Sequence, residues 1–298
     1  MIDLSKLPAP SVIDELSFET IRNEILDNLT TYDPELVNLP PSDSSYKLLE
    51  VVAYRELLLR QRDNDRAKSM LLAHAKNADL DHIGVTYFLV ERLVIDAGNE
   101  NAIPPVAPTY ESDDAYRYRL LISPDGYSTA GPDSAYEYHA LSADGSVKDI
   151  DVASPAPVSV VITVLSHVGD GVPDAALISI VDVALNDDKR PFTDQVTVQA
   201  ATVTSFTINA TLVIYPGLDQ ETIRLAAFDS LTAWVVKYHK LGFDITVVGV
   251  TSALKVEGVK DVTLNNTVST DLTANLVRNN NEAGFCSGIT VDVGSIDE

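Results

Sequence analysis

Five histidines, one cysteine and 44 carboxylates lead the side chains in this 298-residue chain whose types suit acid-base, nucleophilic or metal chemistry. Their spacing argues against each of those uses. His74 and His82 flank Asp79 and Asp81 but miss the His-Glu-x-x-His spacing that puts two imidazoles on one helix face. They could share a metal only if the chain turned sharply, so surface or capping roles are expected. Ser128, His139 and Asp144 are the residue types of a catalytic triad, yet Ser128 lies in Tyr-Ser-Thr-Ala-Gly rather than in a nucleophile elbow. Gly169-Asp170-Gly171 ahead of a helix has the outline of a phosphate-cradling turn. It lacks a Lys-Ser/Thr ending, and Asp170 and Asp174 would repel an anion, so a plain turn and helix cap are expected. Weak Ca²⁺ binding there would need several further oxygen ligands from elsewhere. Cys286 stands in an alternating run with Ile289, Val291 and Val293, which predicts a buried structural thiol on a strand. No catalytic residue, metal, cofactor or small-molecule substrate is therefore expected, and abundant carboxylates alone do not identify a glycosidase pair.

The elements that would position any site begin with charge. Against 44 acidic side chains stand 21 basic ones, a net of −23. Phosphate binding needs clustered Lys and Arg, so nucleic acid and anionic membranes are poor partners for this chain. No apolar run approaches the ~20 residues of a bilayer span. Met1-Ile2-Asp3 opens no basic-then-apolar pattern, so no secretory signal is expected. A single cysteine precludes an intrachain disulfide and fits a reducing compartment or one where redox chemistry is unimportant.

The first hundred residues are helical in pattern. After a Pro-marked lead from Leu7 to Pro10, Ser17 can cap a helix whose Phe18, Ile21, Ile25 and Leu29 form one stripe. Pro34, Pro40 and Pro41 interrupt, and then no Pro or Gly occurs from Ser44 to Asn77. That run predicts one helix of about 34 residues and about 50 Å. Within it, residues Arg60 to Arg66 carry no apolar side chain, so no face of those turns is expected to bury against a dry core. From Lys47 to Lys76 there are seven basic and four acidic residues, an island of +3 in an acidic chain. Arg55, Arg60, Arg62, Arg66 and Lys68 are thus candidate contacts for an acidic surface of a neighbouring subunit. The competing expectation is a solvated helix laced by pairs such as Glu56 with Arg60, each worth about 0.3 kcal/mol.

Asp79 to Gly84 reads as a helix end, and Asp96 to Pro108, with Gly98, Pro104 and Pro105, as a linker. Asp113 is expected to cap a short helix; Gly126 to Pro132 is a connector, Ser134 to Ser142 another short helix, and Ile150 with Val152 a strand. Val158 to Leu264 then reads as one structure written twice. In the first copy Val158, Val160, Ile162 and Val164 share a strand face, Pro173 opens a helix with Leu177, Ile180, Val181, Ala184 and Leu185, and Val196 with Val198 returns. In the second, Phe206 to Ile214 alternate, Asp219 caps a helix lined by Ile223, Ala227, Leu231, Trp234, Val235 and Tyr238, and Ile245 with Val247 resumes a strand. A short helix near Ser252 to Glu257 and a strand at Val259 to Leu264 follow. The fold class expected is α+β: a helical N-terminal region with a long helix, then two tandem strand-helix-strand units of mixed or antiparallel sheet. The divisions expected are residues 1–98, 99–203 and 204–298.

Several short segments, in order, resemble the baseplate J-like proteins of contractile phage tails. They are Ile2 to Pro10, Ala53-Tyr54-Arg55-Glu56-Leu57 with Arg60-Gln61-Arg62, Asp79 to Gly84, and Glu111-Ser112-Asp113 with Tyr116-Arg117. Ala130-Gly131, Tyr136 to Asp144, Ser154 to Pro157, Ile208 to Leu212 with Tyr215-Pro216-Gly217, and Val256 to Val259 continue the series across nearly the whole chain. The resemblance implies a non-enzymatic wedge subunit of the virion tail baseplate, assembled in the bacterial host cytoplasm. Its implied partners are other wedge proteins and further copies of itself in a ring, and its implied role is to couple receptor engagement to sheath contraction. It also implies that the N-terminal helices join a bundle with other wedge proteins and that the C-terminal α+β region makes contacts between copies. The longer inserted β region of some larger relatives is missing, since the linker passes quickly to Glu111. A tail-associated cell-wall hydrolase is the alternative, resting on the abundant carboxylates and on the family-level expectation that some baseplates carry such activity.

Overall fold

A computed structural model describes residues 16–34, 40–128, 131–186, 189–266 and 270–294. The expected lead from Leu7 to Pro10 and Ala130 of the expected connector lie outside the described residues. The chain divides into two compact units, Met1–Glu91 and Arg92–Glu298.

In the first unit, α1 spans Phe18–Tyr32 and is capped by Ser17, whose hydroxyl accepts from Thr20 N–H at 3.2 Å. Ile21 from its expected stripe is fully buried. Helix α2 spans Ser44–Ser69, with Asp43 accepting from Ser45 N–H at 2.7 Å at its start. It has 26 residues, about 39 Å, and so stops short of the expected Asn77. Local bonding explains the stop. Ser69 Oγ donates back to Arg66 O at 3.0 Å, Leu71 N–H reaches only three residues back to Lys68 O, and His74 and Ala75 N–H both converge on Leu71 O. This tightening buries Ala75 completely. Helix α3, Asn77–Ile83, then passes into a π-helical turn at Gly84–Phe88 that Leu89 ends at φ +57°.

The second unit opens on β1 (Val94–Asp96) paired with β2 (Thr109–Tyr110). The stretch expected as a linker is a closed excursion between them: Asn99 and Val106 exchange both backbone hydrogen bonds at 2.9 Å. Gly98 sits at φ +69°, and a Cβ there would lie 2.4 Å from Val106 O, so this turn admits only glycine. Helix α4 is Asp113–Ile122 and α5 is Asp133–Leu141. The cap of α4 is Ser112, accepting from Ala115 N–H at 3.2 Å, rather than the expected Asp113, which lies inside the first turn and pairs with Arg92 at 2.7 Å.

Two three-stranded sheets follow. In the first, β3 (Val147–Ala156), β4 (Ser159–Ser166) and β5 (Gln195–Ala200) lie in that order, β3 antiparallel and β5 parallel to β4. Helix α6 (Ala175–Asn186) makes the crossover and buries Leu177, Val181 and Leu185 on Ile162 and Val164, with Tyr136 and Ala140 of α5. Three expectations are corrected here. Val158 sits in the β3–β4 turn at φ +73° and half exposed, so the strand face begins at Val160. Pro173 precedes the helix, whose cap is Asp174, accepting from Leu177 N–H at 2.8 Å. Ile180 is 43% exposed, and Ile178 packs inward in its place.

In the second sheet β6 (Thr202–Ile214) is central, with β7 (Val259–Leu264) antiparallel and β8 (Glu282–Val293) parallel to it. Phe206, Ile208, Ala210, Leu212 and Ile214 bury against α7 (Gln220–Tyr238), capped by Asp219, and α8 (Val247–Leu254). The strand expected at Ile245 and Val247 is reduced to a bridge between Ile245 and Leu276, because Thr246 caps α8 by accepting from Gly249 N–H at 3.1 Å. The short helix therefore starts five residues before the expected Ser252. Both sheets put one antiparallel and one parallel neighbour beside a central strand, the α+β architecture expected. Their connectivity differs: the antiparallel partner precedes the central strand in the first sheet and follows it in the second.

Candidate functional site

Helix α2 has two faces with different fates. Leu49, Ala53 and Asn64 are buried, and Leu57 and Arg60 on the same line are half-buried. The spacing of four, four, three and four residues is that of one helical stripe. Asn64 corrects the expectation that no face of the Arg60 to Arg66 run is buried: it is 5% exposed. The opposite line, Leu48, Val51, Val52, Arg55, Leu58 and Arg62, is exposed throughout. It is apolar in its first half and cationic in its second.

The five cations singled out from sequence separate along this helix. Arg60 points to α1, 3.4 Å from Glu24, and also meets Glu56 at 3.0 Å in the expected i, i+4 pair. Hydrogen bonding to Glu56 is the main reason its pKa is raised further. Arg55 lies exposed among Val51, Val52 and Leu58. Arg62, Arg66 and Lys68 come together on the wall of an open cleft of about 820 Å³. Leu58, Gln61, Asp65 and Ser69 complete the α2 wall, and His74, Lys76 and Asp79 close the other side. Arg62 and Arg66 both lean on Asp63, at 3.7 and 3.4 Å, with side chains 55% and 68% exposed. Such pairs are solvent-screened and hold their charges loosely. Lys76 belongs to the basic island but not to the five candidate contacts, and the hydrophobic half of the exposed line is a part that charge counting does not reach. The i, i+3, i+4 spacing of Leu48, Val51, Val52 and Leu58 was visible in the sequence, but which of two apolar stripes would pack inward was not.

The other chemical candidates resolve as contacts of the fold. His139 Nε2 bonds Gly126 O at 3.1 Å, and Asp144 accepts from Ser146 N–H at 2.7 Å. Burial, then the Lys189 charge, lowers the His139 pKa. His74 lines the basic cleft and His82 is exposed; among the described residues no group of three or more His, Cys, Asp or Glu is placed to hold a metal ion. Cys286 is half-buried on β8, its thiol donating weakly to Gly288 O at 3.4 Å and its pKa raised by burial. Burial also raises the Glu137 carboxyl, which accepts from the Tyr118 hydroxyl between α5 and α4. Among the described residues no helix is long and apolar enough to cross a membrane.

What this site can offer is a surface, apolar at one end and cationic at the other, carried by the part of the chain that also matches a family model. Residues 41–99 match the Baseplate J-like N-terminal domain and residues 128–200 the Baseplate J-like central domain. The first match covers α2 with its cleft, and the second covers α5 and the first sheet. Over its whole length the chain is 43% identical to Baseplate protein J of Escherichia phage P2, 99% of which is covered. At that identity and coverage, the chain belongs to the baseplate J-like family of phage tail proteins.

Proposed function

We propose that the protein is a structural wedge subunit of a contractile phage tail baseplate, and that the exposed line of α2 docks on a neighbouring wedge protein. The observation that carries this reading is the cluster of Arg62, Arg66 and Lys68 around an open cleft in a chain of net charge −23. A chain so acidic repels its own kind at random, and a basic island gives assembly one preferred meeting point. Arg55 and the apolar half of the line, Leu48, Val51, Val52 and Leu58, extend the contact toward a partner helix that is apolar at one end and acidic at the other. Further copies of the chain in a ring, and coupling of receptor engagement to sheath contraction, complete the reading; mechanism then means interfaces with two packings a few kcal/mol apart rather than a chemical step. The name of the Escherichia phage P2 relative, Baseplate protein J, supports a place for the chain in the virion tail baseplate.

The test is complementation of a phage deleted for this gene. Arg62→Glu with Arg66→Glu keeps the circular dichroism spectrum and Tm of the purified protein, and electron microscopy shows tails without baseplates. Normal baseplates from that double variant would remove the α2 contact from the proposal. Intact tails from the deletion itself would remove the wedge role and turn attention to a tail-associated cell-wall hydrolase.

A further inference from the structure

The two sheets of the second unit are joined by a buried contact between two side chains that both carry protons readily. Lys148 on β3 puts Nζ 2.8 Å from Nδ1 of His239, the residue that ends α7. An ammonium has only hydrogens to offer, so Nδ1 accepts and the neutral ring keeps its proton on Nε2. His239 is 8% exposed. The Asp170 backbone favours the charged ring, yet no atom meets Nε2 in hydrogen-bond geometry. Gly171, at φ +102°, brings the turn after β4 so close that a Cβ on it would stand 2.8 Å from Nε2. Beside the ring, Leu241 N–H donates to Asp149 Oδ2 at 2.9 Å, and Leu165, Ala201 and Ala283 are buried together.

We propose that the contact of Lys148 with His239 is a proton-operated latch between the two sheets: neutral His239 closes it, and a proton on Nδ1 sets two cations face to face and releases it. The titratable groups that act on the ring are Lys148 from β3 and His167 and Asp170 from the turn after β4, while Asp149, next to Lys148 on β3, is held by the Leu241 N–H. Lys240 adjoins His239 in the chain, and β8 presents the Phe285 ring at 5.5 Å. Burial, then the Lys148 charge, holds His239 down at about 4, against an ordinary 6.5. Burial likewise lowers Lys148 and His167, and raises Asp149. The sign follows. The open state binds a proton that the closed state refuses, so closure is favoured fully above pH 6.5 and loses its advantage as pH falls toward 4. This device lies apart from α2 and stands whether or not the docking proposal does.

Hydrogen exchange of the full-length protein at pH 7 and pH 5, corrected for intrinsic exchange rates, tests it. A histidine moving between about 4 closed and 6.5 open makes opening about twentyfold easier over that interval. The amides of Leu241 and Gly171 should lose about that factor of protection while those of β6 residues 208–212 keep theirs. His239→Gln, which can still accept from Lys148 but does not titrate, should abolish the pH response. Lys148→Met should shrink it even if the glutamine variant fails to fold. Equal protection at both pH values, an equal loss in β6, or an unchanged response in Lys148→Met would each overturn the latch.

Discussion

At the scale of single residues, the deepest electrostatic commitment is a pair that takes no part in the proposed docking surface. Arg119 is 3% exposed and holds Glu111 through two bonds of 3.1 and 2.8 Å. Arg92 adds a bond to the Glu111 carbonyl at 2.6 Å and pairs with Asp113, and both guanidiniums stand over the buried Tyr116 ring. Such a network fixes the β1–β2 hairpin to α4, with geometry rigid enough to offset the cost of burying charge. Glu111→Gln removes the carboxylate charge that two bonds from Arg119 hold in a buried setting. It should lower stability by about 3 kcal/mol, read as a lower urea midpoint at unchanged m-value. By contrast Asp114, whose side chain is 98% exposed beside Arg117, should be replaceable by Asn at a cost below about 1 kcal/mol. Equal losses in the two variants would mean that the network is not the clamp described.

At the scale of elements, α2 shows what sequence could and could not reveal. Its start, its helical character and its basic island follow from Ser44 to Ser69 lacking Pro and Gly and from the order of charges. Its end does not, because Ser69 and the converging N–H groups at Leu71 interrupt a run of good helix formers without any breaker residue. Caps were legible where one hydroxyl or carboxylate stood alone before a helix, as at Ser17 and Asp219. Where two candidates adjoin, as at Ser112 and Asp113, side-chain reach decided, and at Thr246 a capped helix displaced a strand of strong β formers. The same limit applies to the site: alternation told strand faces apart, but α2 has two apolar stripes and only packing chose between them. That choice makes opposite predictions for neighbouring leucines. Leu49→Ala, on the buried stripe, should cost about 2–4 kcal/mol in chemical denaturation. Leu48→Ala, 66% exposed, should change stability by less than about 0.5 kcal/mol yet weaken baseplate assembly in the complementation assay. A Leu48 variant that unfolds like the Leu49 variant would show that both stripes serve the fold and that neither is left for a partner.

At the scale of the whole molecule, the charges are unevenly shared. Residues 1–91 carry 9 basic and 16 acidic side chains, and residues 92–298 carry 12 and 28. Each unit is therefore acidic, and like charge works against compactness in both. The basic cleft on α2 reverses that sign locally. Added salt separates the two effects, because the screening length falls from about 10 Å at 0.1 M to about 3 Å at 1 M. Screening relieves self-repulsion in the isolated chain, so its Tm should rise by a few degrees between 0.05 and 0.5 M NaCl. Screening also weakens attraction between the exposed, loosely held Arg62 and Arg66 and an acidic partner, so capture of neighbouring baseplate proteins by the purified chain should fall over the same range. The double variant Arg62→Glu with Arg66→Glu should keep the first response and lose the second. Capture that strengthens with salt in the unaltered chain would locate binding on apolar surface, such as the Leu48 to Leu58 line, and would assign the cations of α2 to solubility alone.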